Sequence, residues 1–594
     1  MSNYQAPIRD MQFVLYELLQ ADKLTSLPGF AEASRDLVEP ILAAAATFNQ
    51  EIVFPLNRSG DEEGCTLKEG VVSTPKGFKE AYQLLCQGGW TALSCDAKYG
   101  GLNMPKSIHS MVEEMLCSAN LSFGMYAGLS YGAYHAIHAF ATSSLKDQFL
   151  PKLVDGSWSG TMCLTEPQCG TDLGLCRTKA VPQADGSYAI SGSKIFISAG
   201  DHDLTDNVIH LVLARTPEAV AGIKGISLFV VPKYSLDQRG EAGESNRVIC
   251  SALEQKMGIK ASSTCTMNFE NSQGWLVGDL GKGMQGMFVM MNRARLAVSM
   301  QGIGLCEISY QGAAQYAKNR LQGRSLTGAK HPDKAADPII VHPDIRRMLM
   351  TMRAYTEGCR ALGAWVSQEF DYSTNHRDKA RRDSAAEFVQ LTTPIVKSLF
   401  TDIAFECTNL GVQVLGGHGF IRESGMEQYV RDCRITQIYE GTNGIQALDL
   451  IGRKLPDKAG RNLRRFFHPV QEYIELHIAN PELTEFIQPL SKAFIRLQQA
   501  TGQVAVTGMS NPEEAAGVAS EYLKLFGLVA LAFMWCRMAE VALQKTAADN
   551  SGFYDAKLKT GRFYMHKILP QSSSLFASIM AGSKSLMALN EEQF

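Results

Sequence analysis

Apolar and polar positions change period as the chain proceeds. Residues 11–19 carry apolar side chains at helical spacing, and a longer helical stretch covers 30–56, with Pro55 predicting its end. Gly88-Gly89-Trp90 and Tyr99-Gly100-Gly101 break the pattern as loops, and helical spacing resumes over 111–116, 131–141 and 145–153. Near Gly160 the pattern turns to strands. Ala189-Ile190-Ser191 and Lys194-Ile195-Phe196-Ile197 straddle a glycine-containing turn, and 208–214 and 226–231 are β-branched runs closed by turn residues. Strands at this spacing predict a small barrel or sandwich. After Gly283 helix returns over 287–320, 345–370 and 385–415, with a loop at 325–343 that holds Gly328, Pro332, Pro338 and Pro343. Beyond Lys454 the chain is helical to its end, with 523–543 strongly apolar and Asn511-Pro512-Glu513-Glu514 reading as a capped helix start. The expectation is an α+β protein: a helical N-terminal domain with an N-terminal arm (1–160), a middle β domain (161–282), a helical domain (283–456) and a C-terminal helical extension (457–594).

Composition narrows the class. At 594 residues the chain is too long for one core, and 45% hydrophobic with 20% charged residues is ordinary for a soluble globular protein. A net charge of −3 without a Lys/Arg block gives no electrostatic case for nucleic acid. The 14 cysteines include no CxxC, and Cys163, Cys169 and Cys176 cluster without metal-ligand pairing, so no metal is expected and the thiols read as reduced. Residues 1–11 show neither an apolar leader core nor an Arg-rich, acid-poor transit pattern, and Asn590-Glu591-Glu592-Gln593-Phe594 is no peroxisomal address. These features predict a cytoplasmic protein. The apolar run 525–536 is shorter than the roughly 20 residues a bilayer demands; it reads as domain core or dimer surface.

Two segments carry candidate chemistry. Ile438-Tyr439-Glu440-Gly441-Thr442 places one carboxylate on an apolar turn, where a low dielectric raises its pKa toward that of a proton acceptor and Gly441 admits a ligand. Met162-Cys163-Leu164-Thr165-Glu166-Pro167-Gln168-Cys169-Gly170-Thr171-Asp172 offers hydroxyls and an open backbone to a polar planar ligand.

Together with Lys194-Ile195-Phe196-Ile197-Ser198, these segments resemble the acyl-CoA dehydrogenase flavoproteins. The TEPxxGSD-like segment has Thr171 in the Ser position, and the W-I-S segment reads Phe196-Ile197-Ser198. Gly89-Trp90 with Tyr99-Gly100-Gly101, Tyr316-Ala317-Lys318-Asn319-Arg320, Gln413-Val414-Leu415-Gly416-Gly417-His418-Gly419 and Arg431-Asp432 match further family segments in order, over roughly 85–450. Tyr4-Gln5-Ala6-Pro7-Ile8-Arg9-Asp10-Met11 and the C-terminal extension are similar to a long bacterial branch that includes enzymes of fatty acyl-CoA and of 3-methylmercaptopropionyl-CoA.

The resemblance implies an FAD enzyme that converts an acyl-CoA to a trans-2-enoyl-CoA. Glu440 would abstract the α-proton and offer its backbone N–H to the thioester oxygen, while flavin N5 takes the β-hydride. Met162, Leu164, Thr165, Phe196 and Ser198 would line the isoalloxazine, and Gly170 and Thr171 would contact flavin or pantetheine. Arg320, Gln413, Gly416 and Gly417 would hold pyrophosphate and adenosine across a subunit interface, and Thr442 would reach the diphosphate. Thr171, Arg295, Tyr439 and Gly441 would lie on the substrate side; the competing reading of Arg295 is a solvated helix residue. Phe196 replaces the usual Trp, Met162 a common aromatic, and Leu321-Gln322-Gly323-Arg324 the family's xxFG. Some relatives carry the base near position 294, but Ala294 cannot serve. His418, in the glycine loop, reads either as a ligand contact or as a hydrogen-bonded structural histidine, the second favoured. The implied partners are acyl-CoA, an electron-transferring flavoprotein and a second subunit in a homodimer. The alternatives are an acyl-CoA oxidase and a non-dehydrogenase relative that binds DNA, the latter disfavoured by the acidic balance and by Glu440.

Overall fold

The computed structural model describes residues 3–594; Met1 and Ser2 lie outside the described residues. Two compact units interleave along the chain. A helical unit gathers residues 3–46, Pro105–Ser118 and Val298–Phe594, and a sheet unit gathers Thr47–Met104 and Ala119–Ala297.

The sheet unit is built on seven strands: β1 (Trp158–Cys163), β2 (Lys179–Pro182), β3 (Tyr188–Ser198), β4 (Asn207–Arg215), β5 (Ile226–Pro232), β6 (Val248–Leu253) and β7 (Thr264–Val277). Their order is β6-β7-β3-β2-β4-β1, and β5 pairs with both β7 and β4, which closes the path into a barrel-like ring. β5 is buried along its whole length and β4 at all but its last residue, as continuous apolar strands are when both faces are covered. Ile190, Ile197, Val212, Phe229, Val231 and Phe269 form one core. A second packs the helix Leu121–Phe140 onto β1, where Gly160 has no side chain to collide with Ala133; an added Cβ would sit 2.4 Å from that methyl.

One local expectation is corrected. The segments 189–191 and 194–197 are not a hairpin but one strand, β3, paired with β7 from Tyr188 to Ser198. Gly192 lets the strand pass Thr178 closely rather than turn, since a Cβ there would lie 2.6 Å from the Thr178 hydroxyl. The second helical stretch ends at Val53, just before Pro55, and Pro55 then precedes a further helix, Leu56–Glu63, because its φ of −58° suits a helix start where no N–H is needed.

The helical unit includes the helices α1 (Lys106–Ala119), α2 (Gly283–Asn319, whose first part is counted with the sheet unit), α3 (Pro343–Asn375), α4 (Lys379–Leu415), the short α5 (Asn443–Asp449), α6 (Ala519–Thr546) and α7 (Phe553–Phe563). Gly302 brings α2 against the backbone of α4, with an added Cβ only 2.9 Å from the Phe400 carbonyl oxygen. α6 is long and apolar enough to cross a membrane by length and composition, yet it is mostly buried against α3, α4, α5 and α7 as a core helix. Asn511 caps the next helix start through Glu513 N–H at 3.1 Å, with Pro512 at the first helical position, as the sequence predicts.

A buried ionic hub joins the chain ends to this unit. Arg360 on α3 donates to Asp10 Oδ2 at 2.5 Å, to Glu307 Oε2 at 2.5 Å and to Glu114 Oε1 at 2.9 Å. Lys557 on α7 pairs with Asp10 and donates to Glu357 Oε2 at 2.7 Å. The N-terminal arm and the C-terminal extension are thus held to one guanidinium on α3 or to its partners.

Candidate active site

The sheet unit presents the Thr165–Thr171 loop beside a bulge in β3. The β3–β7 register jumps from Ile197↔Cys265 to Lys194↔Met267, leaving two residues of β3 opposite one of β7. Ile195 N–H, released from the ladder, donates to the Thr165 carbonyl at 2.9 Å. Phe196 takes a left-handed φ of +58°, and its ring stands 60% exposed. Bulges re-aim side chains in this way. The loop itself is pinned by a buried ion pair, Lys194 Nζ to Glu166 Oε1 at 2.8 Å, with Lys194 also donating to the Leu164 carbonyl at 3.1 Å. Glu166 further accepts from Arg177 N–H at 2.8 Å, Thr178 N–H at 3.0 Å and Thr178 Oγ1 at 2.6 Å. Burial pushes the Glu166 carboxyl up, but the Lys194 charge and these donors outweigh it and hold the group well below the usual carboxylate range. Gly170 and Thr171 are exposed, while Met162, Thr165 and Ser198 are partly so.

Leu164 is corrected here: its side chain is buried in the core with Trp158 and Cys169, so only its backbone faces the loop. Arg295 is 5% exposed, which excludes the solvated-helix reading; its Nη1 lies 3.4 Å from Asn292 Oδ1.

In the helical unit, Glu440 has φ +59° and Gly441 φ +86°. A left-handed conformation costs an L-residue roughly 1–2 kcal/mol and persists where the surroundings over-determine it. They do so here. Tyr439 and Ile438 N–H groups close onto the Ile435 carbonyl at 3.1 and 2.8 Å, and the Tyr439 hydroxyl donates to Gln301 of α2. Burial first, then neighbouring negative charge, raises the Tyr439 phenol well above its usual pKa, so it stays a donor. Behind the turn, Lys397 of α4 donates to the Gly441 carbonyl at 2.8 Å, and Gln446 Nε2 lies 3.3 Å from the Glu440 carbonyl. Ile438 is 45% exposed, so it is not a buried wall of the turn. Thr442 caps α5, accepting from Ile445 N–H at 3.4 Å.

Arg320, Gln413, Gly416 and Gly417 are all exposed in the single chain. An added Cβ at either glycine meets nothing within 4 Å, although φ +61° at Gly416 still favours glycine. Tyr316 Oη and His418 Nδ1 are 3.3 Å apart, the hydrogen bond expected of a structural histidine. Glu166, Lys194, Gln301, Lys397 and Gln446 were not singled out from sequence. The first two sit inside segments that were, and their opposite charges were the available signal; nothing local marked the others.

The chain matches the models of the acyl-CoA dehydrogenase N-terminal domain at 39–157, middle domain at 161–272 and C-terminal domain at 281–455, and an acetyl-CoA dehydrogenase C-terminal-like model at 466–590. It is 40% identical, over 98% of its length and 99% of the relative's, to the 3-methylmercaptopropionyl-CoA dehydrogenase of Ruegeria pomeroyi. It is 34% identical, over the whole of both chains, to the broad-specificity linear acyl-CoA dehydrogenase FadE5 of Mycobacterium tuberculosis. A crystal structure of an FAD-complexed acyl-CoA dehydrogenase from Bacillus anthracis superposes with a TM-score of 0.76 at 21% identity, over 93% of this chain and 89% of that one.

Proposed function

The chain belongs to the acyl-CoA dehydrogenase family of FAD-dependent oxidoreductases, and from that premise we propose that Glu440 is the base that takes the α-proton of a bound acyl-CoA thioester. The observation that carries this reading is the left-handed backbone at Glu440, a strained non-glycine residue held from Gln301, Lys397 and Gln446. Strain of that kind belongs where a side chain must point in one direction.

An unactivated α-carbon is a weak acid, so the carboxylate works only with donors aimed at the thioester oxygen, where negative charge develops. The backbone N–H of Glu440 is one such donor, set by the same turn that aims the carboxylate. Bound FAD supplies the acceptor for the β-hydrogen as hydride at N5. The residues present fit that cofactor: Phe196 offers an outward aromatic face, Thr165, Thr171 and Ser198 supply hydroxyls, and Gly170 leaves the backbone open. Met162 and the Leu164 backbone complete this side. Arg320, Gln413, Gly416, Gly417 and Thr442 are exposed as residues reaching a phosphate-rich group would be, and their exposure supports a homodimer in which each subunit completes its partner's cofactor site. Thr171, Arg295, Tyr439 and Gly441 are assigned to the substrate side.

The substrate class is a fatty acyl-CoA or 3-methylmercaptopropionyl-CoA. The 40% identity supports the thioether, and the 34% identity over the full chain supports linear acyl groups. Sulfur and methylene are near-isosteric, so an apolar pocket separates them by less than the roughly 1–3 kcal/mol that a whole missing methylene is worth. Electron-transferring flavoprotein is the proposed acceptor. The test is anaerobic bleaching of the bound flavin by acyl-CoAs from butanoyl to palmitoyl and by 3-methylmercaptopropionyl-CoA, in native protein and Glu440→Gln. Bleaching in the native protein alone supports the assignment; bleaching that survives in Glu440→Gln refutes it.

A further inference from the structure

We infer that Lys397 is the positioning residue for this proton abstraction, an inference that rests on the assignment of Glu440 as the base. Lys397 stands mid-helix in α4 with its side chain wholly buried. A buried ammonium is costly unless acceptors meet it. Its Nζ donates to the Gly441 carbonyl at 2.8 Å and to Asn443 Oδ1 at 2.9 Å. Both acceptors belong to the turn that follows the base.

The turn is held at further points along the same helix. Asn443 Nδ2 donates to Asp402 Oδ1 at 2.7 Å, to Thr401 Oγ1 at 2.9 Å and to the Ser398 carbonyl at 3.2 Å, all on α4. Its amide oxygen accepts from Lys397 at 2.9 Å and also lies 3.2 Å from Thr401 Oγ1. Gln446 Nε2 adds longer contacts to the Glu440 and Gly441 carbonyls, at 3.3 and 3.4 Å. The peptide planes after Glu440 and Gly441 therefore take their orientation from α4 and from the first turns of α5. Rotating the plane after Glu440 changes ψ at Glu440 and φ at Gly441, and rotating the plane after Gly441 changes ψ there; either movement shifts the chain that carries Glu440, and with it the carboxylate and the Glu440 N–H. Its positioning role runs through the Gly441 carbonyl. A misplacement of about 1 Å in a reacting group costs on the order of 100-fold in rate.

The test uses an acyl-CoA with sulfur in place of the β-carbon, which can lose an α-proton but has no β-hydrogen to transfer. In deuterated water the α-proton passes to the Glu440 carboxylate, its electron pair stays on the thioester as the enolate, and a deuteron returns to the α-carbon. Exchange is followed by proton NMR alongside analogue affinity and flavin content. Lys397→Met is expected to slow exchange about 100-fold or more, with affinity changed less than about threefold and flavin content unchanged. Lys397→Gln, which keeps a shorter N–H donor, is expected to fall between it and the native protein. A lysine that merely supports the fold would lower flavin content and analogue affinity along with exchange, and that result overturns the inference. So does retention of flavin by neither variant. Native exchange in Lys397→Met with an inert Glu440→Gln removes the role of Lys397 and leaves the base in place. Native exchange in Glu440→Gln removes both.

Discussion

Replacing Lys194 by Met breaks the ion pair that pins the Thr165–Thr171 loop, and the cost follows from what each charge keeps. Lys194 is fully buried and Glu166 is 4% exposed. Removing one member of a buried pair costs about 3–5 kcal/mol. Lys194→Met leaves the Glu166 carboxylate with the Arg177 and Thr178 N–H groups, the Thr178 hydroxyl and Cys176 Sγ at 3.0 Å. Its cost sits near the lower figure, about 3 kcal/mol. Glu166→Leu strands the ammonium with the Leu164 carbonyl at 3.1 Å and also orphans two backbone N–H groups, each worth about 1–3 kcal/mol. It should reach or exceed the upper figure, and the double variant should recover part of the loss because no charge stays buried. The assay is hydrogen exchange of peptides covering β1 to β3, with flavin content measured in parallel. About 3 kcal/mol is roughly 100-fold faster opening, and about 5 kcal/mol more than 1,000-fold. Less than tenfold for both single variants, or Lys194→Met worse than Glu166→Leu, would refute the reasoning. Because the folded-state pKa of Glu166 is lowered, the stability it contributes is present above the unfolded carboxylate pKa of about 4.3 and is lost as pH falls below it. Lys194→Met should weaken that acid-dependent loss.

Three further outcomes are expected. Burial pushes His202 and His210 down to about 3, and Leu204 N–H donating to His202 Nδ1 at 3.2 Å requires its neutral ring; the folded state thus binds fewer protons, so thermal stability should hold above pH 6.5 and fall from there toward 3, a dependence that His202→Gln should flatten in melting scans. Phe196→Gly should leave flavin-free stability unchanged or raise it by up to about 1 kcal/mol, because it relieves a positive φ at an exposed ring, while flavin affinity in equilibrium dialysis falls. Arg360→Met would leave Asp10, Glu114 and Glu307 without their common cation, and should destabilise the helical unit by about 3–5 kcal/mol in denaturant titrations, with the N-terminal arm cleaved faster by protease.

Much of the architecture is written in the sequence because it depends on local period. The helical, strand and helical order follows from apolar spacing, and the Asn511–Pro512 cap follows from which residues suit a helix start. The chemistry-bearing segments around Thr165, Phe196 and Glu440 were visible because, taken in order, they resemble the motifs of one family; residue type alone left each open. What period cannot convey is register and distance. The bulge that turns Phe196 outward depends on how β3 meets β7, and the side chain of Leu164 could be assigned to core or to ligand only once β1 was packed. Glu440 was legible as a candidate base, but the left-handed backbone that aims it was not, since the groups holding it, Gln301 and Lys397, lie 139 and 43 positions away (440 − 301 and 440 − 397). The same applies to the arm, where Asp10 meets Arg360 across 350 residues of sequence. The sequence by itself determined which segments are helix or strand and which carry reactive groups, because those follow from each residue's neighbours. Only the tertiary structure decided which buried charges meet, because a buried ion is tolerable only beside a partner that the fold brings to it.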